Sequence, residues 1–133
     1  MGKSMLNKRK GQGLVEFALV VPMLLVLAFG IAEFGRAWMT KNILTGAARE
    51  AARLAAVRAP YGGQTAAEAR ANAILTSAGI TGATVVVSIP DTEFSAVTTT
   101  VTYNFPVVIV GFIPGLDLST IPLSSTTTMR REF

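Results

Sequence analysis

A single carboxylate, Glu16, lies near the start of an otherwise apolar stretch that follows the basic cluster Lys8-Arg9-Lys10. An ionised group inside a bilayer costs on the order of 3 kcal/mol on insertion scales, and a charged partner removes much of that cost. Glu16 is therefore expected to favour a packed state in which a positive group lies beside it. The chemistry available to these residues is the pairing of charges.

The residue types that carry most enzyme chemistry are absent from the sequence. There is no cysteine and no histidine, which excludes thiol nucleophiles, disulfides, zinc sites with the usual ligands and histidine-based acid–base relays. Asp91 and Glu93 supply too few oxygen ligands for calcium, and they are predicted to lie in a solvated turn, as is Asp117. We therefore expect a protein that is not an enzyme and has no cofactor, metal or small-molecule substrate.

The composition predicts a membrane segment joined to one small folded part. Half of the 133 residues are hydrophobic and 15% are charged, with a mean hydropathy of +0.49. The 19 residues from Leu14 to Ala32 are apolar except for Glu16. As a helix they would be about 28 Å long, close to the thickness of a bilayer core.

The charge distribution sets the expected orientation of this segment. Of the 12 basic residues, 4 lie in the head Met1–Lys10, so the remainder has 8 basic and 8 acidic residues and is formally neutral. Only Arg36 and Lys41 follow the apolar segment closely. The positive-inside rule then places the N-terminus in the cytoplasm and the rest of the chain outside. A basic head of this kind is not the footprint of a nucleic-acid-binding protein.

The N-terminal helix is predicted to continue beyond the membrane to Ala59, and one further helix is predicted to follow it. Residues 42–59 are rich in alanine, and the positions that recur every fourth residue form two smooth rows. A second helix is predicted from Thr65 to Ala78, with Thr65 as its N-cap, Glu68 as the capping-box partner and Gly79 as its stop. The first alanine row comprises Ala47, Ala51 and Ala55, and the second comprises Ala48, Ala52 and Ala56.

Beyond Gly82 the apolar residues recur with a period of two, which predicts strands over 84–89, 97–105 and 121–130. In the middle strand Val97, Thr99, Val101, Tyr103 and Phe105 share one face, as expected for a half-buried strand. The apolar residues 105–116 are too short and too interrupted to span a membrane and are predicted to form a buried connection. The predicted fold is α+β, with a long N-terminal transmembrane helix, one further helix and about three antiparallel strands.

Three interpretations of the N-terminal region remain open on these grounds. It could be an uncleaved single-span anchor, with Glu16 near the cytoplasmic interface. It could be a cleaved signal peptide of a secreted β-rich protein, although GIAEFGRA offers no convincing cleavage site. The third interpretation rests on spacing, because Gly11 stands five residues before Glu16-Phe17 and directly behind the basic cluster.

The pattern G-x-x-x-x-E-[YF] between a basic head and an apolar helix resembles the processing site of type IV pilin precursors. The wider sequence KGQGLVEFALVVPMLLVLAFGIAEFGRAW, followed by an alanine-rich helix and the ending TTTMRREF, resembles the TadE-like family. These are pilin-like proteins of the tight-adherence, or Flp, pilus system. The resemblance is strongest from Lys10 to about Ala59.

This resemblance implies that a prepilin peptidase cuts between Gly11 and Gln12. Glycine suits this position, because a residue without Cβ lets a protease approach the backbone closely. Residues 1–11 would then be a leader, 12–59 the transmembrane and extended helix, and 60–133 an extracytoplasmic domain. Glu16 would become the fifth residue of the mature chain, beside Phe17, and could meet the amino terminus of a neighbouring subunit. Cyclisation of Gln12 to pyroglutamate would remove that amino charge.

The resemblance further implies a minor pilin or pseudopilin in the cytoplasmic membrane that packs through its N-terminal helix. Its expected partners are the membrane, the prepilin peptidase, other pilin-like subunits and the tight-adherence secretion machinery. Ala28 and Ala32 form a small-x-x-x-small pair suited to close helix contacts, and Ala47, Ala51 and Ala55 extend the same pattern.

Overall fold

The structure is a computed structural model that describes residues 5–58, 62–90, 95–108 and 119–131, with side chains from Gly11 onwards. Two helices and three strands follow one another along the chain. They are α1 (Met5–Arg58), α2 (Gly63–Ser77), β1 (Thr84–Ser88), β2 (Ala96–Pro106) and β3 (Thr120–Arg130).

The three strands form one antiparallel sheet in the order β1-β2-β3. In β2 the residues of odd number are buried or half-buried against the helices, and Val97, Thr99 and Val101 are fully buried. The opposite face carries hydroxyl pairs, in which Thr98 Oγ1 lies 3.2 Å from Thr128 Oγ1 and Thr100 Oγ1 lies 3.1 Å from Thr126 Oγ1. The predicted α+β fold and the alternation along β2 are confirmed.

The core lies where the C-terminal half of α1 packs between α2 and the sheet. Alanines on both helices allow the two helix backbones to approach closely, since no long side chain separates them. The larger side chains of the core come from both helices and from the strands. The fully buried residues include Leu44, Ala48, Ala51, Ala67, Ala71, Val97 and Val101, with Leu75 almost fully buried.

The start of α2 differs from the prediction, and the N-cap assignment of Thr65 is wrong. The helix begins at Gly63, its N-cap is Gly62 in the left-handed conformation, and no side chain caps it. Gly63 lies so close to α1 that an added Cβ would be 3.2 Å from the carbonyl oxygen of Ala55. Packing against α1 thus fixes the start of α2, and Glu68 accepts a hydrogen bond from Gln64 Nε2 (3.2 Å) instead of completing a capping box.

The end of α2 agrees with the prediction. Gly79 has a φ of 74°, and the amide of Ile80 donates to the carbonyl of Leu75 (2.9 Å) while the amide of Gly79 donates to that of Thr76 (3.0 Å). These two bonds form a Schellman motif, which satisfies carbonyls that a helix end leaves unpaired. The predicted turn at Asp91, Glu93, the residue Asp117 and most of the connection predicted over 105–116 lie outside the described residues.

Candidate functional site: the exposed half of α1 and its exit from the domain

The N-terminal part of α1 extends away from the folded domain with its apolar side chains exposed. Every large apolar residue from Leu14 to Ile31 is exposed except Val21, which is half-buried. An 18-residue window of α1 has a mean hydropathy of 2.5, and none of it is buried within the chain. In the described part of the chain, α1 is the one helix long and apolar enough to cross a membrane.

The predicted processing motif lies on this exposed part of α1. Beyond the adjoining backbone of α1, no described atom lies within 4 Å of the position that a Cβ would take at Gly11 or Gly13, and Gln12 between them is exposed. The same helix includes Lys8, Arg9 and Lys10, whose backbone alone is described.

Glu16 and Phe17 are exposed one turn further along α1. Since residues four apart lie on the same side of a helix, Gln12 and Glu16 share a face. Among the side chains that the structure describes, ion pairs join Glu33 to Arg36 and Glu50 to Arg53 and Arg70, and Glu16 takes part in none of them. The pairing of Glu16 with a positive group therefore stays a prediction from the sequence.

The small residues predicted to mediate helix packing separate into two groups. Ala28 and Ala32 are exposed on the apolar part of α1 and remain available to another subunit. Ala47, Ala51 and Ala55 are fully buried within the core of the same chain. The prediction of contacts between subunits through small residues therefore rests on Ala28 and Ala32.

Polar contacts fasten α1 to the sheet where the helix leaves the domain. The backbone amide of Val108 donates to Glu33 Oε1 (3.1 Å), and Arg36 Nη1 donates to Glu33 Oε2 (2.8 Å). The Arg36 guanidinium also lies 5.2 Å from the centroid of the Phe105 ring, in a cation–π contact. Helix and sheet are thus joined within a turn of the apolar segment.

Further along α1, two more side chains reach the neighbouring strand β3. Lys41 Nζ donates to the carbonyl oxygen of Ser124. The hydroxyls of Thr45 and Ser125 lie 3.0 Å apart. These contacts and those of Glu33 and Arg36 show that β2 runs antiparallel to α1 and that β3 runs parallel to it. The end of β2 and the start of β3, with the residues next to them (105–108 and 119–122), therefore lie toward the apolar half of α1.

Two open clefts flank α1 at this exit. One, of about 340 Å³, is lined by residues that include Phe34, Trp38 and Pro122. The other, of about 260 Å³, is lined by residues that include Met39 and Tyr103. Within the described ranges, no group of three or more His, Cys, Asp or Glu residues is placed to hold a metal ion.

A second polar cluster joins α1 to α2 away from the apolar segment. Arg53 donates to both carboxylate oxygens of Glu50 (3.1 and 3.3 Å), and Arg70 Nε of α2 lies 3.6 Å from the same carboxylate. The hydrogen bonds and the charge of Arg53, with a smaller contribution from Arg70, lower the pKa of Glu50 below its ordinary value of 4.5. The same pair raises the pKa of Arg53.

Sequence reasoning missed part of the exit contacts. The spacing of Glu33 and Arg36 predicts a local ion pair near the membrane interface, and that pair is present. The amide of Val108 lies 75 residues further along the chain, and no periodicity connects the two positions. The one available signal is an acidic residue at the end of a long apolar segment, which requires a donor if it is to be desolvated.

Comparison with known proteins supports the resemblance inferred from the motif. Residues 11–53 of the 133 match the family model described as TadE-like protein. No curated protein and no solved structure matches the chain. The predicted resemblance is confirmed over the segment that contains the processing motif, the exposed half of α1 and the first part of the alanine-rich half.

Proposed function

We propose, from the match of residues 11–53 to the TadE-like family, that the protein is a pilin-like structural component of tight-adherence pilus assembly, a minor pilin or pseudopilin. The observation that carries this proposal is the exposed apolar half of α1, with Glu16 near its start, extending from a folded α+β domain. Such a helix requires either lipid or the helices of other subunits around it.

The proposal includes removal of residues 1–11 by a prepilin peptidase. A protease needs an extended backbone, whereas the bond between Gly11 and Gln12 lies within α1. Glycine is less favourable than alanine in a helix interior by about 1 kcal/mol, and Gly11 and Gly13 stand on either side of Gln12. This turn is therefore easier to unwind than the apolar helix that follows it, which supports cleavage there.

Cleavage would change the balance of forces on the helix. The leader carries four basic residues, and the remainder has 8 basic and 8 acidic residues, so the mature chain is formally neutral. Loss of the cytoplasmic positive charges removes the main electrostatic barrier to drawing the helix out of the membrane. Glu16, which is costly alone in lipid, then favours a neighbour that presents a positive group.

In this proposal the protein is a single-pass protein of the cytoplasmic membrane, with its N-terminus in the cytoplasm and its α+β domain outside. Its partners are the prepilin peptidase, other pilin-like subunits and the tight-adherence machinery. Its role is structural: Ala28 and Ala32 supply the close helix contacts, and Glu16 supplies the charge to be paired.

The test is the N-terminal sequence and intact mass of the protein isolated from its native membrane, with pyroglutamate allowed for. We expect a chain that begins at Gln12. Gly11→Val should block the cut because a branched side chain obstructs the protease, whereas Gly13→Val, at an equally open helical glycine, should leave it in place. A start at Met1 or Gly2 would indicate an uncleaved anchor, and a start beyond Ala32 would indicate a secreted protein and overturn the proposal.

A further inference from the structure

Exposed apolar side chains of α1, of β3 and of the segment that follows β2 lie at the exit of α1, and we call Phe34, Trp38, Val108 and Ile121 the proximal rim. Their exposed fractions are 69%, 61%, 58% and 43%. The rings of Phe34 and Trp38 stack with centroids 6.2 Å apart, and both line the cleft that also includes Pro122, the neighbour of Ile121. The rim is thus formed by the helix, by the start of β3 and by the segment that follows β2.

The contacts at the exit determine how far the proximal rim lies from the apolar segment. Glu33 follows directly after Ala32, and it accepts the amide of Val108. Arg36, about 4.5 Å further along a helix at 1.5 Å per residue, contacts the ring of Phe105, and Phe105 pairs with Ile121 across the sheet. Val108, just beyond β2, and Ile121 of β3 are therefore held near the end of the apolar segment.

The position of the proximal rim, just beyond the end of the apolar segment, matches the headgroup layer of a bilayer. The hydrocarbon core is about 30 Å thick and the whole bilayer about 40–45 Å, which leaves roughly 5–8 Å of headgroups on each side. With Leu14 to Ala32 filling the core, residues 33–38 of α1 cross this outer layer. Tryptophan is enriched at that depth because its ring is apolar and its N–H is polar.

We propose that the proximal rim binds the phospholipid headgroup layer of the outer leaflet, so that the outer domain is seated on the membrane through its sheet as well as through α1. The argument for lipid as the partner is the continuity of the rim with the apolar surface of α1 and its placement by the Glu33 and Arg36 contacts. The inference rests on the membrane-spanning part of the proposed function and does not depend on cleavage or on a pilus.

The experiment uses the full-length chain in phosphatidylcholine vesicles that contain lipid brominated near the headgroup end of the acyl chains. Trp38 is the single tryptophan of the sequence, so its quenching reports the depth of α1. In a Trp38→Phe background, Val108→Trp then reports the depth of the sheet. Val57→Trp is the matched control, because Val57 is a similarly exposed valine on α1, about 36 Å beyond Glu33 along the helix.

We expect the tryptophan introduced by Val108→Trp to be quenched as strongly as Trp38 of the unaltered chain, and the one introduced by Val57→Trp to keep its emission. Since a tryptophan could itself draw the sheet into lipid, thiol reactivity provides a second measurement in this cysteine-free chain. The thiol of Ile121→Cys should react several-fold more slowly than that of Val57→Cys with a membrane-impermeant maleimide.

Two failures are distinguishable. Quenching of Trp38 without quenching at position 108, or equal thiol reactivity at positions 121 and 57, would overturn seating of the rim while the membrane span stands. Absence of quenching at Trp38, together with failure of the chain to float with the vesicles, would overturn the span and the inference with it. Disulfide formation between two copies through Ile121→Cys would identify a second subunit as the partner and would also overturn the lipid assignment.

Discussion

In the proposed function, Glu16 is the residue at which the cost of membrane insertion and the gain from assembly oppose each other. The carboxylate is exposed on the segment of α1 from Leu14 to Ala32, which is otherwise apolar. If a positive group from a neighbouring chain pairs with it, neutralising the side chain should weaken association without preventing insertion or cleavage.

The first prediction is therefore that Glu16→Gln reduces self-association, because the neutral side chain has no charge to pair with a positive group of a neighbouring chain. Association can be measured as disulfide-linked dimer formed by Ala28→Cys in membranes, since the native chain has no cysteine of its own. Glu68→Gln, a carboxylate change on α2 outside the span, is the control and should leave the yield unchanged. Equal dimer yields with Glu16 and with its glutamine variant would contradict the pairing role.

Thr99 provides a second prediction at the scale of the residue. Its side chain is fully buried on the inner face of β2, and its Oγ1 has no hydrogen-bond partner among the described residues. Thr99→Val should therefore stabilise the domain by about 1 kcal/mol, since it removes the desolvation cost of the hydroxyl. The measurement is thermal unfolding in detergent.

Thr100 is the matched control on the same strand. Its hydroxyl lies 3.1 Å from that of Thr126 on the exposed face, so Thr100→Val should be neutral or slightly destabilising. If both valine variants shift the unfolding midpoint by the same amount and in the same direction, the explanation by an unpaired hydroxyl is wrong.

At the scale of the element, the close contact between α1 and the start of α2 makes two helical glycines behave oppositely. A Cβ at Gly63 would lie 3.2 Å from backbone atoms of Ala55 and Arg58, whereas one at Gly46 would meet nothing within 4 Å. We predict that Gly46→Ala stabilises the domain by about 0.5–1 kcal/mol through helix propensity. Gly63→Ala should destabilise it by about 1 kcal/mol, because backbone atoms of α1 cannot move aside as a side chain would.

The carboxylate of Glu50 links the same two helices electrostatically. Because the pKa of Glu50 is lowered in the folded chain, its contribution to stability is present above the ordinary pKa and is lost as the pH falls through the folded value. We predict that Glu50→Gln lowers the unfolding midpoint at neutral pH. The difference from the unaltered chain should shrink as the pH falls below 4.5 and disappear once the pH is below the lowered pKa of the folded chain. It should also shrink in high salt, because the pair is solvent-exposed.

The elements that sequence could predict are those whose residues carry the pattern themselves. To predict the strand from Val97 to Phe105, it was enough to find apolar residues with a period of two. To predict the stop at Gly79, it was enough to find a glycine after a helical segment. The start of α2 could not be predicted in the same way, because it depends on the approach of Gly63 to the backbone of Ala55. Thr65 and Glu68 have the spacing of a capping box, but the contact of Gly63 with α1 determines where α2 begins.

At the scale of the whole molecule, the two halves of α1 perform different tasks, although both contain alanines at helical spacing. Periodicity identified Ala47, Ala51 and Ala55 as a packing surface, but it could not tell whether the partner was another subunit or the core of the same chain. That distinction required the folded arrangement, in which these three are buried and Ala28 and Ala32 are exposed.

This division gives the fifth prediction. Ala51→Leu overpacks the core and should destabilise the domain by about 1–3 kcal/mol, as measured by thermal unfolding, without a direct effect on contacts between subunits. Ala32→Leu should leave unfolding unchanged and reduce the yield of the Ala28→Cys dimer, because a larger side chain separates two closely packed helices. Unaltered dimer yield in the Ala32 variant would exclude this small-residue pair as a contact surface.

A single helix, Met5–Arg58, contains both the apolar segment and a large part of the core. Glu33 and Arg36 fasten the sheet to this helix directly after the apolar segment. Each residue of an α-helix adds about 100° of rotation. Rotation of the apolar half about the helix axis would therefore turn the sheet with it, so the orientation of the apolar half fixes the direction in which the folded domain faces. One residue inserted between Ala32 and Glu33 would point the hydroxyl-bearing face of the sheet in a different direction from the same anchor.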